Sequence, residues 1–383
     1  MKKIVLYSSN SKLRSSGSNC TVFPKWADQW DTAAKNHPDT EITLVVQLNG
    51  RYFLDIHDGK PYKLPENIKV IQMDMQDKTD EFVEMITKLS PDVAIAMPGP
   101  VGGFDWNGIR DAVIAKCLEK KGIRTICYSI ETALNTFDKW RMHQVFQQYG
   151  FHCPEVIFVH NEMFFAGGDD PFSTGNVYQE MILKQVELSE MPLIIKSTTG
   201  SSSTGIFIAH SYEEAKAHLL SEKNDGDVII EQFIKGEEFG TEVHGCKGNY
   251  HVMPPYKVFS TAHNEVNDPL GMTTLKYGPI LDEKYDIPSL QKELKRLAET
   301  MGFAGIMQID LMYADGVWYI IEINSRWSGM TTLITASQGR LPYEAYIGQE
   351  TGSDTDYSDP GNLTFSCQFK MADASDQLLE QIA

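Results

Sequence analysis

Asp310, Glu322 and Asn324 put two carboxylates and an amide within fifteen residues of one another. All three are hard oxygen donors, the kind that Mg²⁺ prefers when it also holds phosphates. They lie in residues 306–330, where two runs rich in β-branched and aromatic residues flank Ala314, Asp315 and Gly316. Those three residues read as a hairpin loop with Gly316 in the left-handed conformation. Pairing Tyr313 with Val317 sets Asp310 opposite Ile320, and side-chain alternation then gathers Asp310, Glu322 and Asn324 on one face. The opposite face, with Ile309, Leu311, Tyr313, Val317, Tyr319, Ile321 and Ile323, is apolar and reads as core. Met312, Trp318 and Ile320 share the polar residues' side, so something covers it. On these residues alone an ordinary surface hairpin stays open as the alternative to a metal site.

The whole composition limits what such a site could serve. The 383 residues allow two or three domains, and 42% hydrophobic content is that of a globular protein. No run approaches the roughly 18–20 apolar residues of a membrane span. The apolar stretch after Met1-Lys2-Lys3 is too short for a signal peptide, so a cytoplasmic protein is expected. The six cysteines lack CxxC spacing and read as buried small hydrophobes, not as a zinc site or a disulfide framework. A net charge of −18 argues against a nucleic-acid partner. A polyanionic ligand such as ATP would need its charge met locally, by a few lysines and magnesium.

The elements that would position these residues follow from periodicity. Strand signals at 3–7, 41–47, 68–73, 92–97 and 124–128 alternate with helix signals at 26–36, 78–89 and 106–121, which predicts βαβ units and a mostly parallel sheet. Ligands of such sheets sit at the carboxyl ends of strands. The Gly/Ser/Pro-rich loops 8–19 and 98–104 follow strands there and are candidates for touching substrate or plain surface loops. Asp138-Lys139 opens a helix to Tyr149, then come a strand at 156–159, a loop-like stretch at 161–175 and a helix at 178–188. A strand at 192–196 ends in Lys196 and runs into a loop of glycine and hydroxyl residues, 197–205, before a second strand at 206–209. Backbone N–H groups and hydroxyls in such a loop can donate to phosphate oxygens, and a flexible linker is the alternative. A helix at 212–221 precedes a strand at 227–232, and the chain turns at Gly236 beside acidic residues. Backbone groups there could meet an adenine edge, although acidic residues at a turn are more often just solvated. Lys276 falls in a polar stretch before a helix at 289–301. Residues 352–362 read as a linker, leaving one strand at 363–369 and an unassigned tail.

Taken in order, Asp138-Lys139, the strand ending in Lys196 with its Gly/Ser loop, the segment 231–238, Lys276, Asp310 and then Glu322-Ile-Asn324 resemble the ATP-grasp superfamily. Within it they are most similar to D-alanine–D-alanine ligase-like carboxylate–amine ligases. Gly329-Met330-Thr331 also looks like the family's Gly-Met-Thr. The resemblance implies an α/β N-terminal domain, a parallel sheet with flanking helices, joined to an α+β ATP-grasp fold with a small ATP lid and a larger metal-binding domain. The implied parts are 1–134 (N-terminal), 135–190 (first ATP-grasp segment), 191–235 (lid with the Gly/Ser loop), 236–349 (metal-binding) and 350–383 (linker and tail).

The resemblance further implies ATP and two Mg²⁺ ions as cofactors, with Mn²⁺ as a substitute. Lys139 and Lys196 would contact phosphates, and Ser201, Ser202 and Ser203 would lie in the lid loop. Glu231 and the backbone at Phe233 and Ile234 would hold adenine, Glu238 the ribose and Lys276 the γ-phosphate. Asp310, Glu322 and Asn324 would bind the metals, and Arg326 would hold the acyl oxygen or a substrate carboxylate. The implied reaction joins a small-molecule carboxylic acid to an amine through an acylphosphate, with a homodimer as the assembly to test. A small-molecule kinase or a non-catalytic nucleotide-binding regulator are the competing readings. Two departures, Gln308 where D-alanine ligases carry arginine and the first loop's sequence, point away from D-alanine. The Asn-Ser-Arg-Trp-Ser-Gly run from Asn324 looks more like general ATP-grasp ligases with an Asn-x-Arg pattern, which an amino-acid or dipeptide ligase fits better.

Overall fold

The computed structural model describes residues 1–9, 25–47, 53–57, 60–74, 78–99, 106–167, 175–199, 206–260, 273–351, 361 and 363–369. The first part carries β1 (Lys2–Ser8), β2 (Thr40–Gln47), a ribbon of β3 (Asp55–His57) and β4 (Lys60–Lys63), then β5 (Lys69–Met73), β6 (Val93–Ala96) and β7 (Thr125–Ile126). Five of these form a parallel sheet in the order β5-β2-β1-β6-β7. Strands covered on both faces must be apolar throughout, and Ile4 to Tyr7 and Val93 to Ala96 are all buried. On one face α1 (Trp26–Asn36) packs Trp26, Trp30 and Ala33 over Ile4, Leu6 and Leu44. On the other, α2 (Thr79–Leu89) and α3 (Trp106–Lys120) pack Phe82, Ile86, Ile114 and Leu118 over Val5, Tyr7 and Ala94.

Next come two helices, α4 (Ile130–Phe137) and α5 (Lys139–Tyr149). The first was not expected, and it runs across residues 134 and 135. Asp138 separates them, accepting from Arg141 N at 2.9 Å as the N-cap of α5. A second sheet, with antiparallel pairing, orders β10 (Ile206–Ala209), β9 (Leu193–Ser197), β11 (Val228–Gln232) and β8 (Val156–Val159). One face is covered by α6 (Asn161–Phe164), α7 (Val177–Leu188) and α8 (Tyr212–Leu219). The stretch after β8 therefore begins as a helical turn, where sequence suggested loop.

The third sheet is built from β12 (Glu237–Cys246), β13 (Asn249–Val252), β14 (Tyr256–Ser260), β15 (Thr273–Gly278), β16 (Ala304–Ala314), β17 (Val317–Asn324) and β18 (Ser366–Phe369). Its order is β17-β16-β12-β14-β15-β18, with β13 beside β12. Helix α9 (Ile287–Thr300) covers one face through Leu290, Leu294 and Leu297, while α10 (Gly329–Ser337) and α11 (Pro342–Thr351) follow the last long strand. Lys276 thus lies on a strand and not in an irregular polar stretch. Among the described residues no helix is long and apolar enough to cross a membrane. The cysteines are less buried than expected: Cys117, Cys127, Cys153 and Cys246 are half-buried and Cys367, on the edge strand β18, is exposed.

The hairpin differs from its expected geometry in two ways. Ala314 pairs with Val317, so the loop is Asp315 and Gly316 alone, both left-handed at φ +51° and +83°. That is the type I′ turn whose twist matches paired strands. A shorter loop by itself would set Asp310 opposite Ile321 and send Glu322 to the other face. The register shifts between Asp310 and Leu311, however, so that Leu311 faces Ile320 and Asp310 faces Glu322. This bulge leaves Ile321 without a partner and re-aims Glu322 and Asn324 to the side of Asp310. The two-residue turn, ahead of the bulge, places Trp318 and Ile320 in the core with Leu311, Tyr313 and Phe239 and turns Tyr319 out opposite Met312. The expected faces of those residues are thereby exchanged.

Candidate active site

Cross-strand partners project from the same face of a sheet. Asp310 lies between Glu322 on β17 and Gly240 on β12, and Gln308 lies between Asn324 and Glu242. Met312 pairs with Glu238, while Gly240 pairs with Tyr256, two residues before Val258, whose partner is Lys276. Glu238, Lys276, Asp310, Glu322 and Asn324 therefore share the face away from α9. Gly240, beside Asp310, leaves room for Met330, whose Cε a Cβ there would meet at 2.6 Å.

Polar contacts knit the row together. Gln308 Nε2 donates to Asp310 Oδ1 at 2.6 Å, Asn324 Nδ2 donates to Gln308 Oε1 at 2.8 Å, and Arg326 Nη2 donates to Asn324 Oδ1 at 3.2 Å. Lys139 Nζ is 3.3 Å from Glu322 Oε1. Burial pushes the Asp310 carboxyl above its ordinary range and the facing Glu322 adds to this, against the opposing pull of Gln308, Lys276 and Arg326. Two facing carboxylates in that state gain from a cation between them.

The second sheet presents Lys196 and Glu231 as an ion pair, both almost fully buried. Burial alone would lower the Lys196 ammonium's pKa, but Glu231, Glu322 and Asp310 together outweigh it and hold the group protonated. Because Lys196 feels carboxylates of both sheets, the two polar faces border one cleft. Helix α5 joins them: Lys139 N donates to Thr198 O at 2.8 Å, and Ile323 N approaches Met142 Sδ at 3.2 Å.

The donor set fits a divalent cation such as Mg²⁺. Two carboxylates and an amide oxygen are hard ligands, too few to saturate the ion and so suited to one that also takes phosphate oxygens. Among the described residues no three His, Cys, Asp or Glu come together as a metal cluster, here or elsewhere, so this site counts on the Asn324 amide as its third donor. Beside Asn324 a pocket is lined by Ile109, Tyr128, Thr136, Phe137, Ser325 and Arg326. It joins the row of Asp310, Glu322 and Asn324 to the carboxyl edge of the parallel sheet.

Of the residues singled out from sequence, the fold brings Lys139, Lys196, Glu231, Lys276, Asp310, Glu322, Asn324 and Arg326 around this cleft. Phe233 and Ile234 form the connection from β11 to β12, with Ile234 buried, and Glu238 stands one row from Asp310. Ser201, Ser202 and Ser203 lie outside the described residues, as do most of the loops 8–19 and 98–104. Sequence reasoning missed the structural part of Gln308, which registered just as a departure from arginine. It also missed Glu242, fully buried, which accepts from Thr331 Oγ1 at 2.5 Å and meets His244 Nε2 at 2.7 Å. An acidic residue alternating with apolar ones on an undetected strand gave no sign of that contact.

Comparison with known proteins agrees with this geometry. Residues 136–330 match the ATP-grasp domain family, and the chain belongs to it. It is 27% identical over 238 residues to the D-alanine–D-alanine ligase of Fervidobacterium nodosum, covering 61% of this chain and 71% of that protein. It is 26% identical over 243 residues to the carbamoyl-phosphate synthase of Methanobrevibacter smithii, where the match covers 63% of this chain and 59% of that protein. The crystal structure of an L-amino acid ligase from Bacillus licheniformis superposes with a TM-score of 0.63 at 17% identity, over 96% of this chain and 79% of the other. That last likeness is one of fold.

Proposed function

We propose that the chain is an ATP- and Mg²⁺-dependent carboxylate–amine ligase that forms an amide or peptide bond on an amino-acid-type substrate through an acylphosphate. The observation that carries this reading is the single sheet face on which Asp310, Glu322 and Asn324 stand together, facing a cleft that Lys196 and Glu231 border from the other side. The names of the relatives support the same reaction class. In it Lys139, Lys196 and Lys276 bind phosphate oxygens, Glu231 and the 233–234 backbone hold adenine, and Glu238 holds the ribose. Ser201, Ser202 and Ser203 belong to the lid loop, and the parts 1–134, 135–190, 191–235, 236–349 and 350–383 keep the roles given above.

When bound by Asp310, Glu322 and Asn324, Mg²⁺ supplies charge neutralisation for the phosphoryl group in transfer. The chain's own residues do the rest by position. Lysine charges hold the phosphates in line with the acid, and Arg326, at the mouth of the pocket beside Asn324, steadies the charge that builds on the acyl oxygen as the amine adds to the acyl carbon. Collapse of that adduct expels phosphate and leaves the amide.

Hydroxylamine can stand in for the amine. With ATP, Mg²⁺ and a panel of carboxylic acids, a hydroxamate is expected with the acid that fits, together with ADP and phosphate. Asp310→Ala and Glu322→Ala should abolish it. Full turnover in either variant would refute the metal assignment, and a stable phosphorylated product would favour a kinase.

A further inference from the structure

A chain of three hydrogen bonds runs from Arg326 to Asp310, and its direction is fixed at both ends. A guanidinium can donate but not accept, and an ionised carboxylate can accept but not donate. Between them stand two amides, each with one end of either kind. Arg326 Nη2 donates to Asn324 Oδ1, Asn324 Nδ2 to Gln308 Oε1, and Gln308 Nε2 to Asp310 Oδ1, at 3.2, 2.8 and 2.6 Å. Turning either amide over would set N–H against N–H at one contact and oxygen against oxygen at the next. Gln308 is 6% exposed, so water is poorly placed to repair such a fault.

We infer that Gln308 is the positioning residue that orients Asn324 and Asp310 as metal ligands. This rests on the metal reading of the proposed function and adds to it a residue that does not itself touch the ion. An asparagine serves a hard cation through its oxygen alone, since its nitrogen carries hydrogens and presents no donor pair. Gln308 takes up the Asn324 nitrogen, which leaves the Asn324 oxygen on the side of Arg326 and the pocket. The same side chain holds one Asp310 oxygen in place and leaves the other toward Asn324, 3.4 Å from its nitrogen. Gln308 pairs directly with Asn324 across the strands and precedes Asp310 by two on one face, so one planar amide reaches both. Methionine of the same length would reach both and orient neither.

The test is equilibrium binding of Mn²⁺ in the presence of ADP, read from the free-ion electron paramagnetic resonance signal. Wild type is compared with Gln308→Met, and with Gln308→Asn, which keeps an amide but falls one methylene short. Both variants are expected to bind Mn²⁺ roughly 10- to 100-fold more weakly, the loss seen when an outer partner of a metal ligand is removed. ADP binding without metal, measured by calorimetry in EDTA, should be unchanged, as should the circular dichroism. Should the methionine variant fail to fold, the asparagine variant carries the comparison. The inference is overturned if a folded variant binds Mn²⁺ as tightly as wild type, or if ADP binding without metal falls as much. Wild type that binds no Mn²⁺ with ADP would instead remove the metal site, and with it both this inference and the proposed function.

Discussion

Replacing Lys196 by methionine should expose how the cleft is held together in the absence of nucleotide. Lys196 and Glu231 are 6% and 2% exposed, so removing the cation strands a carboxylate where water cannot reach it. Breaking a buried pair from one side costs about 3–5 kcal/mol. The reverse change, Glu231→Gln, should cost less, roughly 1–2 kcal/mol, because Lys196 keeps Glu322 and Asp310 nearby and the glutamine still offers an acceptor. The double variant leaves no stranded charge in the second sheet and should be more stable than Lys196→Met alone. Urea titration without nucleotide or metal gives the four corners of the cycle, and hydrogen exchange at the amides of β9 and β11 locates the loss in that sheet. A cost below about 1 kcal/mol for Lys196→Met, or a double variant no better than that single one, would refute the argument that Lys196 keeps Glu231 from being a stranded buried charge.

Three further outcomes follow from packing and titration. Trp327 is buried against Trp26, Phe53 and Tyr343 with ring centroids 5.4, 5.6 and 5.5 Å away, so Trp327→Ala should cost about 3–5 kcal/mol in chemical denaturation, with Trp327→Phe recovering part of it. Gly316→Ala places a side chain at φ +83° and should cost roughly 1–2 kcal/mol without moving Mn²⁺ affinity, which separates the turn from the site. Burial, helped by Lys196, lowers the His143 pKa from 6.5 to about 4, so its neutral form stabilises the fold fully above pH 6.5. That contribution, about 3 kcal/mol, should be lost as pH falls from 6.5 toward 4, and His143→Gln should flatten the pH dependence of the denaturation midpoint there.

The sequence made some of this legible and hid the rest for identifiable reasons. Strands such as 206–209 and 156–159, and the helix 26–36, announce themselves by composition and period, and the fold keeps those bounds. Strands β12 to β15 did not: on β12 Glu238, Glu242 and His244 alternate with Phe239 and Val243, but Gly240 and Gly245, residues depleted in strands, dilute the signal. The hairpin shows how a right conclusion can rest on a wrong register. The expected three-residue loop put the three oxygen donors on one face, and the real two-residue turn does so through a bulge at Ile321 that no local pattern signals. Glu242's contact with Thr331 is tertiary in the same way, since Thr331 lies 89 residues away.

What these contacts share is the segment from Asn324 to Thr331. From beneath, Gln308 holds Asn324; from the side, Ser325 Oγ meets Thr136 Oγ1 at 2.8 Å; from the parallel sheet, Pro98 O accepts from Trp327 N at 3.0 Å. Ser328 caps α10, and Thr331 one turn later is tied to Glu242 and through it to His244, whose other nitrogen lies 3.3 Å from Arg340 Nη2. Arg326 is thus carried on a segment held by the third sheet, α4 and the chain after β6, and in the role proposed for it a shift of about 1 Å would cost a hundredfold in rate. The pocket beside it shares Asn324, Ser325 and Arg326 with this segment, while the rest of its wall comes from the first turns of α3, the end of α4 and the chain after β6 and β7. In the proposed reaction, substrate choice can vary with the α3 and α4 side of this pocket while Asp310, Glu322 and Lys196, which do not line it, keep their places. Substitutions at Ile109 or Phe137 should accordingly alter which acid yields hydroxamate, whereas substitutions at Trp327 or Glu242 should lower the yield with every acid alike.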